Sequence, residues 1–239
     1  MLKVKAKIAG IHFLISLILA FICALLVFYI IYPYPLAQAI GATSLFLIIL
    51  SIDLILGPLL TFIVYKKDKK TLKIDLFIIA MIQLMALSYG IYSMYQGRPV
   101  WIAYTVDRFE LIRANDVVGE SEQYPLPLLG VEYVFVQIDT EKPSDQLKLM
   151  LQEVQYRISP AQQPQYYNTI EKGRHLIIKN AMDINYLEEY NSKDIVENTR
   201  LSYPLADAFL PLQANEKDMT VLINKATGKV VNIVNLRPW

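Results

Sequence analysis

Apolar residues run almost unbroken through the first 95 positions in three blocks; beyond them they recur in short groups between polar residues. The blocks cover roughly 8–32, 40–65 and 76–95. A helix rising 1.5 Å per residue needs about 20 residues to cross a hydrocarbon core of about 30 Å, and each block supplies that length. Three transmembrane helices are therefore predicted within 1–97. Pro33-Tyr34-Pro35 ends the first, because proline has no amide donor and restricts its predecessor. Tyr29, Tyr32 and Tyr34 read as an interfacial belt there, and Tyr92 and Tyr95 do the same for the third span. The first block is too long for a signal-peptide core of about 7–15 residues, and no small-x-small site follows it.

From residue 98 the pattern shortens. Residues 100–106, 109–112 and 131–138 are rich in β-branched and aromatic side chains and read as strands. Ser144 reads as an N-cap, and Leu147, Met150, Leu151 and Val154 then form one stripe at helical spacing up to about 157. The Gln-, Pro- and Tyr-rich stretch 159–168 reads as a loop, and 183–198 as a helix interrupted at Asn191-Ser192. Residues 220–224 and 229–234 flank Lys225-Ala226-Thr227-Gly228 and predict a terminal hairpin, with Gly228 at positive φ. The fold class is a membrane protein: three transmembrane α-helices followed by a small α+β soluble domain over 98–239. Repeats and low-complexity linkers are absent from the sequence.

Charge separates the same two parts. Of the 239 residues, 54% are apolar and the formal net charge is +1, but that average hides a division. Residues 1–97 hold eight Lys, no Arg and three acids, whereas 98–239 hold 15 basic and 19 acidic residues. Lys3, Lys5 and Lys7 precede the first span, and Lys66, Lys67, Lys69, Lys70 and Lys73 fill the loop between the second and third. The Pro33–Pro35 connection has none. Positive-inside bias places the N-terminus and the lysine loop in the cytoplasm, and three crossings put 98–239 on the far side. In a bacterium with an outer membrane that side is the periplasm, and the membrane is the inner one. With no basic stripe, nucleic acid is excluded as a partner class.

The chemistry of catalysis is sparse. Only two histidines occur, His12 in the first span and His175 outside, and no Cys/His cluster suits a metal. His175 lies in Gly173-Arg174-His175-Leu176 with no nucleophile elbow, and neither a phosphate loop nor a dinucleotide fingerprint is present. No catalytic residue, metal or cofactor is expected. Cys23, the one cysteine, reads as a small packing residue within a span, so the outer domain is held by its core and not by a disulfide.

The informative position is Asp53, an acid inside the second span, four residues before Gly57-Pro58. Insertion of such a group costs at least about 2.5–3.5 kcal/mol. Gln83 in the third span lies at similar depth. Asp53 is either tied within the bundle to Gln83, Ser51 or Thr61, or offered as a polar contact to another protein's membrane helix. A lone acid among three spans supplies no proton relay. Gly57-Pro58 either permits close approach of a neighbouring helix or is a tolerated kink.

Several motifs stand out together: the run from Asp53 through Gly57-Pro58 to Thr61, the Lys73-x-Asp75-Leu76 start of the third span, and Gln83 followed by Tyr89-Gly90. Arg98-Pro99-Val100 and Asp107-Arg108-Phe109 belong to the same set. Taken together they resemble the type IV pilin accessory proteins, the TfpX/TfpZ-like family related to fimbrial accessory proteins. The similarity is close over about 1–113 and beyond that rests on the hairpin and the Pro238-Trp239 ending. It implies an inner-membrane accessory protein or chaperone that binds a cognate major pilin, through both its membrane helix and its periplasmic head, and promotes pilus assembly in contact with membrane lipid. On that reading Asp53, Gly57, Pro58 and Gln83 meet the pilin helix, and Arg98, Asp107 and Arg108 meet its head. The other reading of the last three is a structural ion pair that fixes the outer domain on its stalk. A membrane-anchored periplasmic sensor is the competing function, weakened by the short cytoplasmic tail; a membrane-bound hydrolase lacks a nucleophile.

Overall fold

The apolar blocks form helices, and each begins or ends where a backbone-breaking residue or a charge run requires. The structure is a computed structural model that describes residues 2–138, 149, 151 and 153–239. Helix α1 spans Leu2–Leu25 and widens into a π-helical turn over Leu26–Ile31, stopping before Pro33. A short helix α2, Leu36–Ile40, precedes Gly41, whose φ of 77° starts α3, Ala42–Val64. Helix α4 is Leu72–Gln96. All three long helices have the length and hydropathy of membrane spans, and most of their apolar surface faces outward. The first and third begin earlier than the blocks predict, because Lys3, Lys5, Lys7 and Lys73 join the helices without ending them. The chain divides into two units: residues up to Ala37 with Gly41–Gln96, and Gln38–Ile40 with Gly97–Trp239.

In the first unit α3 packs against both α1 and α4. Tyr32 corrects the belt assignment: it is buried, and its hydroxyl donates to the Met94 carbonyl at 2.7 Å. Tyr29, Tyr34 and Tyr92 are exposed, as an interfacial role requires.

The second unit is built on a mixed sheet. Its strands are β1 (Pro99–Tyr104), β2 (Phe109–Arg113), β3 (Glu132–Val136), β4 (Tyr167–Thr169), β5 (Met182–Asp183), β6 (Ala208–Gln213), β7 (Met219–Asn224) and β8 (Lys229–Val234). The spatial order is β4-β3-β1-β2-β6-β7-β8, with β5 also paired to β6. Strand β1 is buried along its whole length because it is central and covered on both faces. Trp101, Ala103, Ile112, Val134 and Val136 meet Ala161 and Tyr167, with Trp101 set edge-on to Tyr167 at 5.0 Å. Phe135 instead meets Gly173 of α5 (Ile170–Asn180), where a side chain would collide with its ring. A second core lies beside α6 (Lys193–Ser202) and packs Leu187 and Val196 onto Phe209, Leu222 and Val234.

Three expectations change here. Residues 183–198 are not one helix: a 3₁₀ segment, Ile184–Glu189, gives way to α6, which begins after Ser192. The stretch 159–168 is two 3₁₀ turns leading into β4, started by Ser159, whose hydroxyl accepts from the Ala161 N–H at 3.2 Å. The Ser144 cap, Leu147 and Met150 lie outside the described residues; of the expected stripe, Leu151 and Val154 are exposed, and Leu149 is buried instead. The hairpin forms as expected, with Gly228 at φ 64°.

Candidate functional site

Within the membrane unit, spacing on α3 builds the site. Asp53, Gly57 and Thr61 follow one another at i, i+4 and i+8, so they share one helix face, and all three are buried. Gln83 of α4 reaches that face: its Nε2 donates to Asp53 Oδ1 at 2.8 Å and to the Asp53 carbonyl at 3.0 Å. Gly57 makes room for it, since a Cβ there would stand 2.0 Å from Gln83 Nε2. A second close approach occurs two turns away, where a Cβ on Gly90 would stand 2.8 Å from Ile49. Helix α1 contributes His12, with Nδ1 2.6 Å from Thr61 Oγ1, and Phe28, edge-on to Phe46 at 5.2 Å. Of the three partners expected for Asp53, Gln83 is bonded to it; Ser51 donates to the Ile48 carbonyl and Thr61 meets His12. Pro58 sits within α3, and the helix continues through it to Val64.

The outer residues separate into two groups. Arg98 is buried and its guanidinium donates to the Pro127 carbonyl at 2.5 Å, so it pins a loop from inside and is not on the surface where a partner's head would meet it. Asp107 and Arg108 form a bidentate pair with each other, at 2.9 and 3.3 Å, in the exposed turn between β1 and β2. The Arg108 guanidinium beside Asp107 holds that carboxyl below its ordinary value, and Asp107 in turn raises Arg108. Arg108 also lies 5.5 Å from the Trp239 ring, and Trp239 donates through Nε1 to Asp218 at 2.9 Å. Parallel pairing of β2 with β6 places Gln213 within 3.5 Å of Arg108.

Beside this pair a groove of about 600 Å³ is lined by Val106, Glu110, Ile138, Glu153, Ser159 and Gln213. Burial pushes Glu110 above the ordinary glutamate value, against the Ser159 hydroxyl that donates to it at 2.9 Å. Sequence reasoning named His12 and Trp239 without their contacts and missed Glu110, Gln213 and Asp218. Their contacts join positions far apart in the chain, and no local spacing signals them. His175 is an exposed residue of α5. Among the described residues no group of acids, histidines and cysteine is placed to hold a metal ion.

A family model described as fimbrial assembly protein FimB matches residues 1–41. A fimbrial assembly protein of serogroup I from Dichelobacter nodosus is 31% identical over 234 residues, spanning 92% of this chain and 91% of its own length. This chain belongs to the fimbrial assembly protein family. The serogroup E1 protein of the same organism is 30% identical over the same shares, and the protein of serogroups C1 and C2 is 41% identical over 47% of this chain and 88% of its own. Family membership agrees with the resemblance carried by Asp53, Gly57-Pro58 and Gln83, and the matched relatives extend it over nearly the whole chain. No solved structure matches.

Proposed function

We propose that this chain acts in pilus assembly as an inner-membrane protein that binds and stabilises one cognate major pilin until it is incorporated. The observation that carries the reading is the similarity, over nearly the full length of both chains, to proteins named for fimbrial assembly. The physics of the site supports it. A membrane helix gains little hydrophobic energy from a partner already in lipid, so close packing and polar contacts supply the affinity. Both are concentrated on the α3–α4 pair: Asp53 and Gly57 are buried against Gln83, and Pro58 and Gln83, each half-buried, are the members a pilin helix reaches directly. The exposed Asp107–Arg108 turn is the contact for the pilin head, with Trp239 and Gln213 added to it. The outer unit lies in the periplasm, where the pilin head waits.

Deleting the gene is expected to lower the steady-state pilin level or surface piliation with pilin transcription unchanged. Normal pilin, pili and pilus-dependent movement in the deletion strain would remove the proposal. Asp53→Leu separates the two uses of the acid. If Asp53 serves the partner, the variant stays abundant in membranes but no longer retains pilin on co-purification. If it serves only the bundle, the variant loosens, losing about 0.6–2 kcal/mol of interhelical bonding, and whatever remains folded still binds.

A further inference from the structure

The eight lysines of the membrane unit carry charge that the pilin reading leaves unused, and helix packing gathers them. Helices α1 and α3 run antiparallel, since His12 meets Thr61 and, further along, Phe28 meets Phe46. Helices α3 and α4 do the same, with Gly57 against Gln83 and Ile49 against Gly90. The starts of α1 and α4 and the end of α3 therefore share one end of the bundle, and every lysine of residues 1–97 lies there. Lys5 marks how near they come, its Nζ standing 5.7 Å from the centre of the Phe62 ring of α3.

The connection between α3 and α4 is folded into two turns. The Lys69 amide donates to the Lys66 carbonyl at 3.3 Å and the Leu72 amide to the Lys69 carbonyl at 3.1 Å, with Asp68 at φ 64° in the first turn. Lys69 reaches Asp75 at 2.8 Å, and the Thr71 hydroxyl donates to the same carboxylate at 3.1 Å. Among the described residues this is the one ion pair made by any of the eight lysines, so Lys3, Lys7, Lys66, Lys67, Lys70 and Lys73 stand exposed with their charge unneutralised. Distance along the helices sets their depth. The apolar block of the first span starts at about Ile8, so Lys7 and Lys3 lie about 1.5 and 7.5 Å before it along α1. Lys66 and Lys67 directly follow Tyr65 at the end of α3, and Lys73 lies about 4.5 Å before Leu76 along α4. The headgroup layer on each face of a bilayer is about 5–8 Å deep, so these amines stand at the level of lipid phosphates. Packed helices lie about 8–10 Å apart, a separation that lysine side chains from both sides can close on one phosphate.

We propose that this end of the bundle binds the headgroups of anionic phospholipids, whose phosphates bridge Lys3 and Lys7 of α1 to Lys66, Lys67 and Lys70 of the α3–α4 connection. Charge complementarity selects the occupant. Eight lysines against Asp68 and Asp75 attract a phosphodiester that brings no cation of its own, and choline or ethanolamine headgroups bring one. The bound lipid clamps α1 to the α3–α4 pair. The proposal rests on the membrane-span reading and not on the identity of any protein partner.

The test uses the full chain in neutral detergent with dioleoylphosphatidylglycerol or dioleoylphosphatidylcholine, counting bound lipid by native mass spectrometry and following thermal unfolding. Phosphatidylglycerol is expected to be retained and to raise the unfolding midpoint, and phosphatidylcholine to do neither. Changing Lys66, Lys67 and Lys70 together to Gln, or Lys3 and Lys7 together to Gln, is expected to weaken phosphatidylglycerol binding about fivefold for each lysine removed. Arginine at the same positions keeps the charge and is expected to keep the lipid. Equal retention of the two lipids would overturn the proposal, as would full binding by the glutamine variants or loss of binding by the arginine variants. Inorganic phosphate in place of lipid separates the two sources of the anion: a midpoint raised as far as by phosphatidylglycerol would overturn the proposal in favour of a free-anion site. In bilayers, a water-soluble acylating reagent should modify these lysines several-fold less when phosphatidylglycerol is present than in phosphatidylcholine alone. Equal modification would overturn the proposal too, by showing that headgroups leave the surface open to an acidic protein.

Discussion

Adding one methyl group at Gly57 places a carbon where the Gln83 amide now sits, 2.0 Å from Nε2. The amide is the free end of a flexible side chain, so Gly57→Ala is accommodated by swinging Gln83 away, which breaks its two bonds to Asp53. The expected cost is about 0.6–2 kcal/mol, the range for interhelical hydrogen bonds in membranes. Gln83→Leu removes the same bonds and should cost a similar amount. The double variant is then expected to be little worse than either single one, because the second change has nothing left to break. Unfolding of the four proteins in detergent micelles measures the cycle; strictly additive losses would mean that Gly57 and Gln83 act separately. The depth match of Asp53 and Gln83 was readable from the sequence, but the interlock with Gly57 was not. It requires knowing which face of α3 meets α4, and an almost uniformly apolar helix carries little sign of that.

At the scale of elements, β2 shows why part of the outer domain escaped sequence reading. It pairs with β6 at Phe109↔Leu212 and Glu110↔Gln213 only, so the sheet opens just past Glu110. Strand β6 is the clearest omission. Its sequence, Ala208-Phe-Leu-Pro-Leu-Gln213, is apolar but centred on Pro211, which argues against an interior strand. The strand is interior all the same: β5 pairs with Ala208 and Phe209, β2 with Leu212 and Gln213, and the ladder on that side is interrupted at Leu210 and Pro211. Strands β1, β2, β3 and the terminal hairpin were legible because β-branched and aromatic residues dominate them. Helix α5, by contrast, sits in a polar stretch, Glu171-Lys-Gly-Arg-His175, whose fixed point is the contact of Gly173 with Phe135. Arg98 was legible as special but not as buried, since nothing local tells a buried arginine from an exposed one.

The opening beside β2 also makes a stability prediction. Burial raises the Glu110 carboxyl, Glu153 and Asp107 add to the rise, and Ser159 and Arg108 oppose it. The folded state therefore binds a proton more tightly than the unfolded chain. This contribution is full below the ordinary glutamate value of about 4.3 and is lost as pH rises through the higher folded value. Asp107, held down by Arg108, runs the other way: its stabilisation is present above the ordinary aspartate value and fades as pH falls. Glu110→Gln keeps an acceptor for Ser159 but cannot ionise. It is expected to stabilise the outer unit at neutral pH and to flatten the Glu110 part of the profile, leaving the loss at low pH that Asp107 contributes. Denaturant midpoints of both proteins from pH 3 to pH 8 measure this, and parallel curves would show that Glu110 does not titrate differently on folding.

For the whole molecule the question is which side of the membrane each part occupies, and two independent features bear on it. The first is the lysine asymmetry, with Lys3, Lys5 and Lys7 at one end of the first span and five lysines between the second and third. The second lies within the outer unit. Its members include Gln38–Ile40, a segment of the connection between the first two spans. The Ala39 carbonyl accepts from the Glu216 and Lys217 amides at 3.0 and 3.1 Å, and Asn235 donates to Gln38 at 2.6 Å. These bonds require the first connection and the outer unit to share one side, as three crossings also do. A reporter that is active only in the periplasm is therefore expected to work when fused after Trp239. The same reporter placed in the lysine loop at Asp68 is expected to be silent, and a cytoplasmic reporter should give the opposite pattern at both positions. A periplasmic signal at both sites would mean that one of the three helices does not cross. A cytoplasmic signal after Trp239 would invert the molecule and overturn the proposed contact between its outer unit and a pilin head.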